Sequence, residues 1–153
     1  RKRLRRVREH AMTTIEQRLQ AIEDRQSLQN LLSTYLTALD KMYDLNLLLD
    51  CFTEDGVFDM TDLGYPRFEG KLALREFFIG VFAAMANSAH YAANFKVNSL
   101  EQNRASAQTH AIGIGQPVEG ERVEFYVQYL LDFERVDSVW KIKSLRGQPL
   151  MPS

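Results

Sequence analysis

The sequence predicts an α+β cone, with three N-terminal helices packed in a strongly curved antiparallel or mixed sheet. Three observations carry that prediction. Apolar residues recur at three- and four-residue steps through the first half. From about residue 89 the spacing changes to two, over four long segments rich in β-branched and aromatic residues. Short clusters of turn-forming residues separate those segments. Helices first and an antiparallel sheet after them put the helices on one face of the sheet. A curved sheet that wraps helices leaves a hollow end, a natural pocket for a small molecule.

The elements follow in order. Over 14–43, Ile15, Leu19, Ile22, Leu28, Leu32, Tyr35 and Leu39 form an apolar stripe between charged positions. A short second helix fits 45–52, and Thr53-Glu-Asp-Gly56 ends it with turn chemistry. Val57-Phe-Asp-Met-Thr61 reads as a strand and Gly64-Tyr-Pro-Arg as a loop. From Lys71 to about Asn87, Leu74, Phe77, Phe78, Val81, Phe82 and Met85 give a third, strongly apolar helix. Strands are expected over 89–100, 105–116, 121–136 and 139–147. Residues 14–150 thus make one unit with a sizeable core.

Composition narrows the function classes. The chain has 153 residues, 45% hydrophobic and 25% charged, and no apolar run of membrane-spanning length. Its polybasic start lacks the apolar stretch of a secretory signal. The single cysteine, Cys51, rules out an internal disulfide and makes a reducing cytoplasm the expected setting. Arg1, Lys2, Arg3, Arg5, Arg6 and Arg8 against Glu9 give residues 1–12 a charge of +5. The formal net is −1, so the remainder carries −6, which disfavours nucleic acid as a partner. Residues 1–13 read as a basic arm: a solvated tail, sequence ahead of a native start at Met12, or an extension of the first helix along Leu4, Val7 and Ala11.

Asp40 and His90 are the candidate catalytic pair. A carboxylate that meets an imidazole in an apolar hollow fixes its tautomer and strengthens it as a base. Asp40 lies near the end of the long helix and His90 at a helix–strand junction. Alternation on the long third strand points Phe125, Val127, Tyr129, Leu131 and Phe133 inward. Tyr35 and Tyr129 add polar groups to the expected cavity, and Phe58, Met60 and Val127 add apolar lining. The bland alternatives are an Asp40 ion pair with Lys41 or Arg146, a structural His90, and core tyrosines with satisfied hydroxyls. Alternation also places Tyr91, Phe95 and Val97 on the outer sheet face, an apolar surface that predicts a homo-oligomer, dimer or trimer. His110 reads as structural, Asp59 as a strand-edge residue and Cys51 as a small buried hydrophobe. His10, His90 and His110 show no metal-ligand spacing. Gly113-Ile-Gly115 is mid-strand and too short for a dinucleotide loop.

The ordered set Ile22-Glu-Asp-Arg-Gln, Tyr35-Leu-Thr-Ala-Leu-Asp40, Leu49-Asp-Cys-Phe-Thr-Glu-Asp-Gly-Val-Phe-Asp59, Gly70-Lys-Leu-Ala-Leu-Arg-Glu-Phe-Phe78 and Val139-Trp-Lys-Ile142 resembles the SnoaL-like branch of the nuclear transport factor 2-like superfamily. The resemblance covers residues 15–147. It is nearest to the scytalone dehydratases, bile acid 7α-dehydratases and lindane dehydrochlorinases, which share an aspartate on the first helix and a histidine after the third. Asp40 and His90 fall on those positions. The likeness implies substrate-binding roles for Tyr35 and, one residue out of step, for Arg146. Departures are plain: Gln116 stands near the place of a second catalytic histidine, Tyr129 near that of an asparagine, and Met60 near that of a tyrosine. The resemblance implies a cofactor-independent lyase, a dehydratase-type enzyme acting on a small, largely apolar cyclic substrate. An isomerase, cyclase or epoxide hydrolase, or a non-catalytic binding module, stands as the alternative, because one fold hosts many functions.

Overall fold

A computed structural model describes residues 14–151, so the basic arm of residues 1–13 lies outside the described residues. Helix α1 spans Ile15–Lys41 and α2 Leu45–Asp50. Strand β1 (Phe52–Asp59), a 3₁₀ turn (Thr61–Leu63) and the short β2 (Arg67–Glu69) lead into α3 (Lys71–Ala84). Four long strands follow: β3 (Met85–Leu100), β4 (Arg104–Pro117), β5 (Val123–Val136) and β6 (Val139–Pro149). They join one six-stranded sheet in the order β2-β1-β6-β5-β4-β3, with β1 parallel to β6 and every other pair antiparallel. The sheet is mixed and strongly curved in the expected manner but does not close, leaving β2 and β3 as edges.

Thr14 starts α1 through a capping box. Its hydroxyl accepts from the Gln17 amide at 3.1 Å, and the Gln17 side chain accepts from the Thr14 amide at 2.9 Å. Met42 ends the helix in the left-handed region at φ 54°. Leu28, Leu32, Tyr35 and Leu39 pack into the core as expected, whereas Ile15, Leu19 and Ile22 are exposed. The sequence reading joined two stripes. Leu19 and Leu28 are nine residues apart, about two and a half turns, and so lie on opposite faces. The inward position in the first half of α1 belongs instead to Asp24, which is buried.

Asp24 is a polar pin. Its Oδ1 accepts from Arg135 Nη2 at 2.7 Å, Trp140 Nε1 at 3.1 Å and Gln20 Nε2 at 3.1 Å. The Arg135 guanidinium also lies over the Trp140 ring, 4.3 Å from its centroid. One carboxylate thereby fastens α1 to β5 and β6 at the end of the sheet remote from residue 40.

Two β-bulges decide which side chains enter the core. In β3 the register slips between Ala93 and Lys96, where Asn94 takes φ 59°. Tyr91 stays outside, 65% exposed, but Phe95 and Val97 turn inward and pack on the core. The expected outer row of Tyr91, Phe95 and Val97 is therefore broken after its first member. In β6, Ile142 pairs with Phe133 but Ser144 with Asp132, so Lys143 is an extra residue. Trp140 and Ile142 point inward, and past the bulge Leu145 and Gly147 do. Strict alternation from Trp140 would have carried Arg146 inward; the extra residue turns it out.

Strand β3 also claims residues expected in α3. Met85 and Asn87 pair with Pro117 and Gln116, so ladder hydrogen bonds win over apolar helical spacing at the helix end. Likewise β1 begins at Phe52 rather than Val57, with its register irregular between those two residues.

The Asp24 pin predicts a stability cost. Burial raises the Asp24 carboxyl, but hydrogen bonds from Arg135, Trp140 and Gln20 outweigh it and hold the group below its ordinary value. The stabilisation is thus present above the unfolded carboxyl value and is lost as pH falls through the lower folded one. Asp24→Ala leaves a largely buried guanidinium unpaired and should cost about 2–4 kcal/mol, read as a lower urea midpoint at pH 7. The gap should shrink on titration to strongly acidic pH.

Candidate active site

Between α1, α3 and the inner face of the sheet lies a cavity of about 210 Å³. Its walls are mostly apolar: Phe58, Phe77, Phe78, Val81, Met85 and Val127 among them. Polar groups reach it from Tyr35 of α1, Ser88 and His90 of β3, Tyr129 of β5 and Tyr65 of the loop after β1. Among the described residues no Asp, Glu, Lys or Arg lines it.

Asp40 sits behind His90. The His90 Nδ1 lies 2.6 Å from Asp40 Oδ1, the His90 backbone amide donates to Oδ2 at 2.9 Å, and the Ser88 hydroxyl donates to Oδ1 at 3.1 Å. Fifty residues of chain separate the partners, and the start of β3 passing the end of α1 brings them together. A carboxylate at a helix C-terminus opposes the negative end of the helix dipole. Burial disfavours its charge further, yet the bonds from the His90 ring and amide, and from Ser88, more than offset both and hold the Asp40 carboxyl below its ordinary value. An ionised carboxylate only accepts, so Nδ1 carries the proton, and it is the neutral ring whose Nε2 presents a lone pair. Among the described residues nothing hydrogen-bonds Nε2.

The two tyrosines stand opposite. Tyr35 is fully buried, its ring held edge-on by Phe52 at 5.5 Å and Phe78 at 6.4 Å. Neither its hydroxyl nor that of Tyr129 hydrogen-bonds another described residue, and both residues line the cavity. Burial pushes the Tyr35 phenol well above its ordinary value, with Tyr129, Cys51 and Asp40 adding to the effect. Burial and then the Asp40 charge push Tyr129 up to about 12. Both therefore remain protonated donors at neutral pH.

Of the other expected site residues, Phe58, Met60 and Val127 line the cavity and Arg146 does not. Arg146 lies on the outer side of β6, where its Nε and Nη2 donate to Asp62 Oδ2 at 3.1 and 2.6 Å. The Lys143 bulge is the reason. His110 also faces outward, accepting at Nδ1 from Asn94 Nδ2 at 3.2 Å. Asp59 accepts from the amide and hydroxyl of Thr61 at 3.0 and 2.6 Å, capping the loop after β1. Cys51 is buried, and burial pushes its thiol up to about 11.

Sequence reasoning missed the residues that make room. Gly113 and Gly115 face inward from β4, and a side chain on Gly113 would meet His90 Nε2 at 3.1 Å. One on Gly115 would meet the Met85 side chain at 3.3 Å. Two glycines at i and i+2 in a strand were the available signal of a close approach on one face. Ser88 shares the inward face with His90 at the same two-residue spacing, and Tyr65 lines the mouth.

Gly113 yields a direct test of the geometry. Gly113→Ala must displace the His90 ring by a few tenths of an ångström or more while leaving the ladder intact. Turnover should fall by up to about 10²-fold, with the far-ultraviolet circular dichroism unchanged.

Comparison with known proteins places this geometry. The sequence profile of the SnoaL-like domain matches residues 20–146. A crystal structure from Novosphingobium aromaticivorans, provisionally named an aromatic ring hydroxylase, is 38% identical and superposes with a TM-score of 0.83, covering 86% of this chain and 92% of its own. A second from the same organism, provisionally named a scytalone dehydratase, is 16% identical with a TM-score of 0.77, covering 87% and 97%. The type-3 hexachlorocyclohexane dehydrochlorinase of Novosphingobium barchaimii is 21% identical with a TM-score of 0.76, covering 88% and 91%. At such identities the last two share the fold. Among curated proteins there is no match. The profile match over most of the chain, on a nuclear transport factor 2-like fold, shows that this protein belongs to the SnoaL-like domain family.

Proposed function

We propose that the protein is a cofactor-independent lyase that eliminates water or another leaving group from a small, neutral, largely apolar ring. The contact between Asp40 and His90 at the cavity wall carries the reading. His90 Nε2 takes a proton from carbon next to an activating group. The electron pair of that C–H bond forms the new double bond as the leaving group departs with its own pair. Asp40 keeps the imidazole in its tautomer and stabilises the imidazolium. The Tyr35 and Tyr129 hydroxyls donate to the developing oxyanion or to the leaving oxygen. The proton on His90 then passes to the leaving group or to solvent.

Cavity size supports the substrate class. An apolar protein cavity of about 150 Å³ accepts benzene, so about 210 Å³ suits one substituted ring. The absence of charge from the lining favours a neutral substrate, since a charge entering an apolar wall loses its hydration without a partner. The same base could return its proton to a different carbon, and among the described residues His90 is the only imidazole in the lining, which favours an isomerase as the second reading.

Turnover assays on neutral cyclic β-hydroxy ketones and halogenated rings test the proposal. His90→Ala should lower turnover by about 10²–10⁴-fold, and Asp40→Asn, which accepts poorly and misdirects the imidazole, should lower it in the same range. Product mass separates the readings: loss of the leaving group marks a lyase and unchanged mass an isomerase. Unaltered turnover in His90→Ala removes the mechanism.

A further inference from the structure

Tyr65 has no role in the chemistry proposed for His90, yet its ring stands at the mouth of the cavity, 52% exposed. It meets Phe125 of β5 edge-on, ring centroids 6.0 Å apart. One ring comes from the loop after β1 and the other from β5, and both line the cavity.

The loop that carries Tyr65 is compact. The Leu63 and Tyr65 amides both donate to the Met60 carbonyl, at 2.9 and 3.1 Å, and the Gly64 amide to the Thr61 carbonyl at 3.0 Å. Gly64 takes φ 81°, which a side chain would strain. The loop grips β6 from both sides. On the inner side Met60 and Leu63 lie against Gly147, where a side chain would collide with both. On the outer side Asp62 accepts from Arg146 and from Gln148 Nε2, the latter at 3.4 Å. Three consecutive residues of β6 thus hold the segment that presents Tyr65.

We infer that Tyr65 is the specificity-determining residue that limits the ligand to one ring, and that Arg146 is a positioning residue that holds Tyr65 in place through Asp62. The inference rests on the cavity being a ligand site but not on the elimination chemistry. A rigid aromatic wall excludes a second fused ring sterically, and such pockets discriminate size by about tenfold or more. Arg146 acts from outside the cavity, so its effect on the ligand passes through the loop that carries Tyr65.

Phenol and 2-naphthol, which differ by one fused ring, are suitable probes for calorimetric titration of the full-length protein. Wild type should bind phenol at least about tenfold more tightly than 2-naphthol. Tyr65→Ala should abolish or reverse that ratio, and Tyr65→Phe should retain it. Arg146→Met should shift the ratio part of the way in wild type and not at all in the Tyr65→Ala background. Thermal melts confirm folding of each variant, and Tyr65→Phe and Arg146→Met leave the core untouched. An unchanged ratio in Tyr65→Ala overturns the inference, as does an equal effect of Arg146→Met in both backgrounds. Failure of both probes to bind wild type and Tyr65→Ala also overturns it. Binding with the expected ratio but without turnover on any substrate would remove the lyase reading and leave the gate standing.

Discussion

The contact between Asp40 and His90 is the interaction on which the site depends. It ties the last turn of α1 to the first residues of β3, two elements fifty residues apart in sequence. The helix dipole and burial both work against a charged Asp40. Only the three donors supplied by His90 and Ser88 make that charge tolerable. The carboxylate in turn dictates which imidazole nitrogen carries the proton. Orientation of the imidazole and ionisation of its partner are therefore one arrangement.

The surroundings of the pair hold it in place. Gly113 and Gly115 clear the inner face of β4 so that the imidazole and Met85 can lie flat against the strand. Phe52 and Phe78 hold the Tyr35 ring, whose hydroxyl has only the cavity to address. The opposite end of the molecule carries the mechanical load through a different carboxylate, Asp24, saturated by Arg135, Trp140 and Gln20. The two aspartates of α1, Asp24 buried and Asp40 half-buried, thus divide the work. One is fully occupied with packing, and the other shares its donors with a group that faces a ligand space.

Much of this was legible in the residues. The helix-first order, the four long strands and the inward set Val127, Tyr129, Leu131 and Phe133 follow from periodicity, because burial of one face imposes it. The proximity of Asp40 and His90 came from resemblance together with their places at element ends. Two departures trace to bulges, one from the outer row read by alternation and one from the place that resemblance gave Arg146. Alternation counts residues, and a bulge adds one. Asn94 in β3 turned Phe95 and Val97 inward, and Lys143 in β6 turned Arg146 outward. Neither bulge has a glycine or proline to announce it. The exposed stripe of Ile15, Leu19 and Ile22 misled for a related reason: helical spacing marks a face but does not say which face meets the sheet.

By itself the sequence determined the class of fold and the existence and order of the long strands, and it singled out Asp40 and His90 as candidates, since local periodicity and side-chain chemistry are written residue by residue. The tertiary structure alone decided which side of a strand each residue occupies beyond a bulge, how much empty space the glycines leave, and which side chains line it. Those properties depend on pairing between strands far apart in the chain, where a single extra residue reverses every side chain that follows.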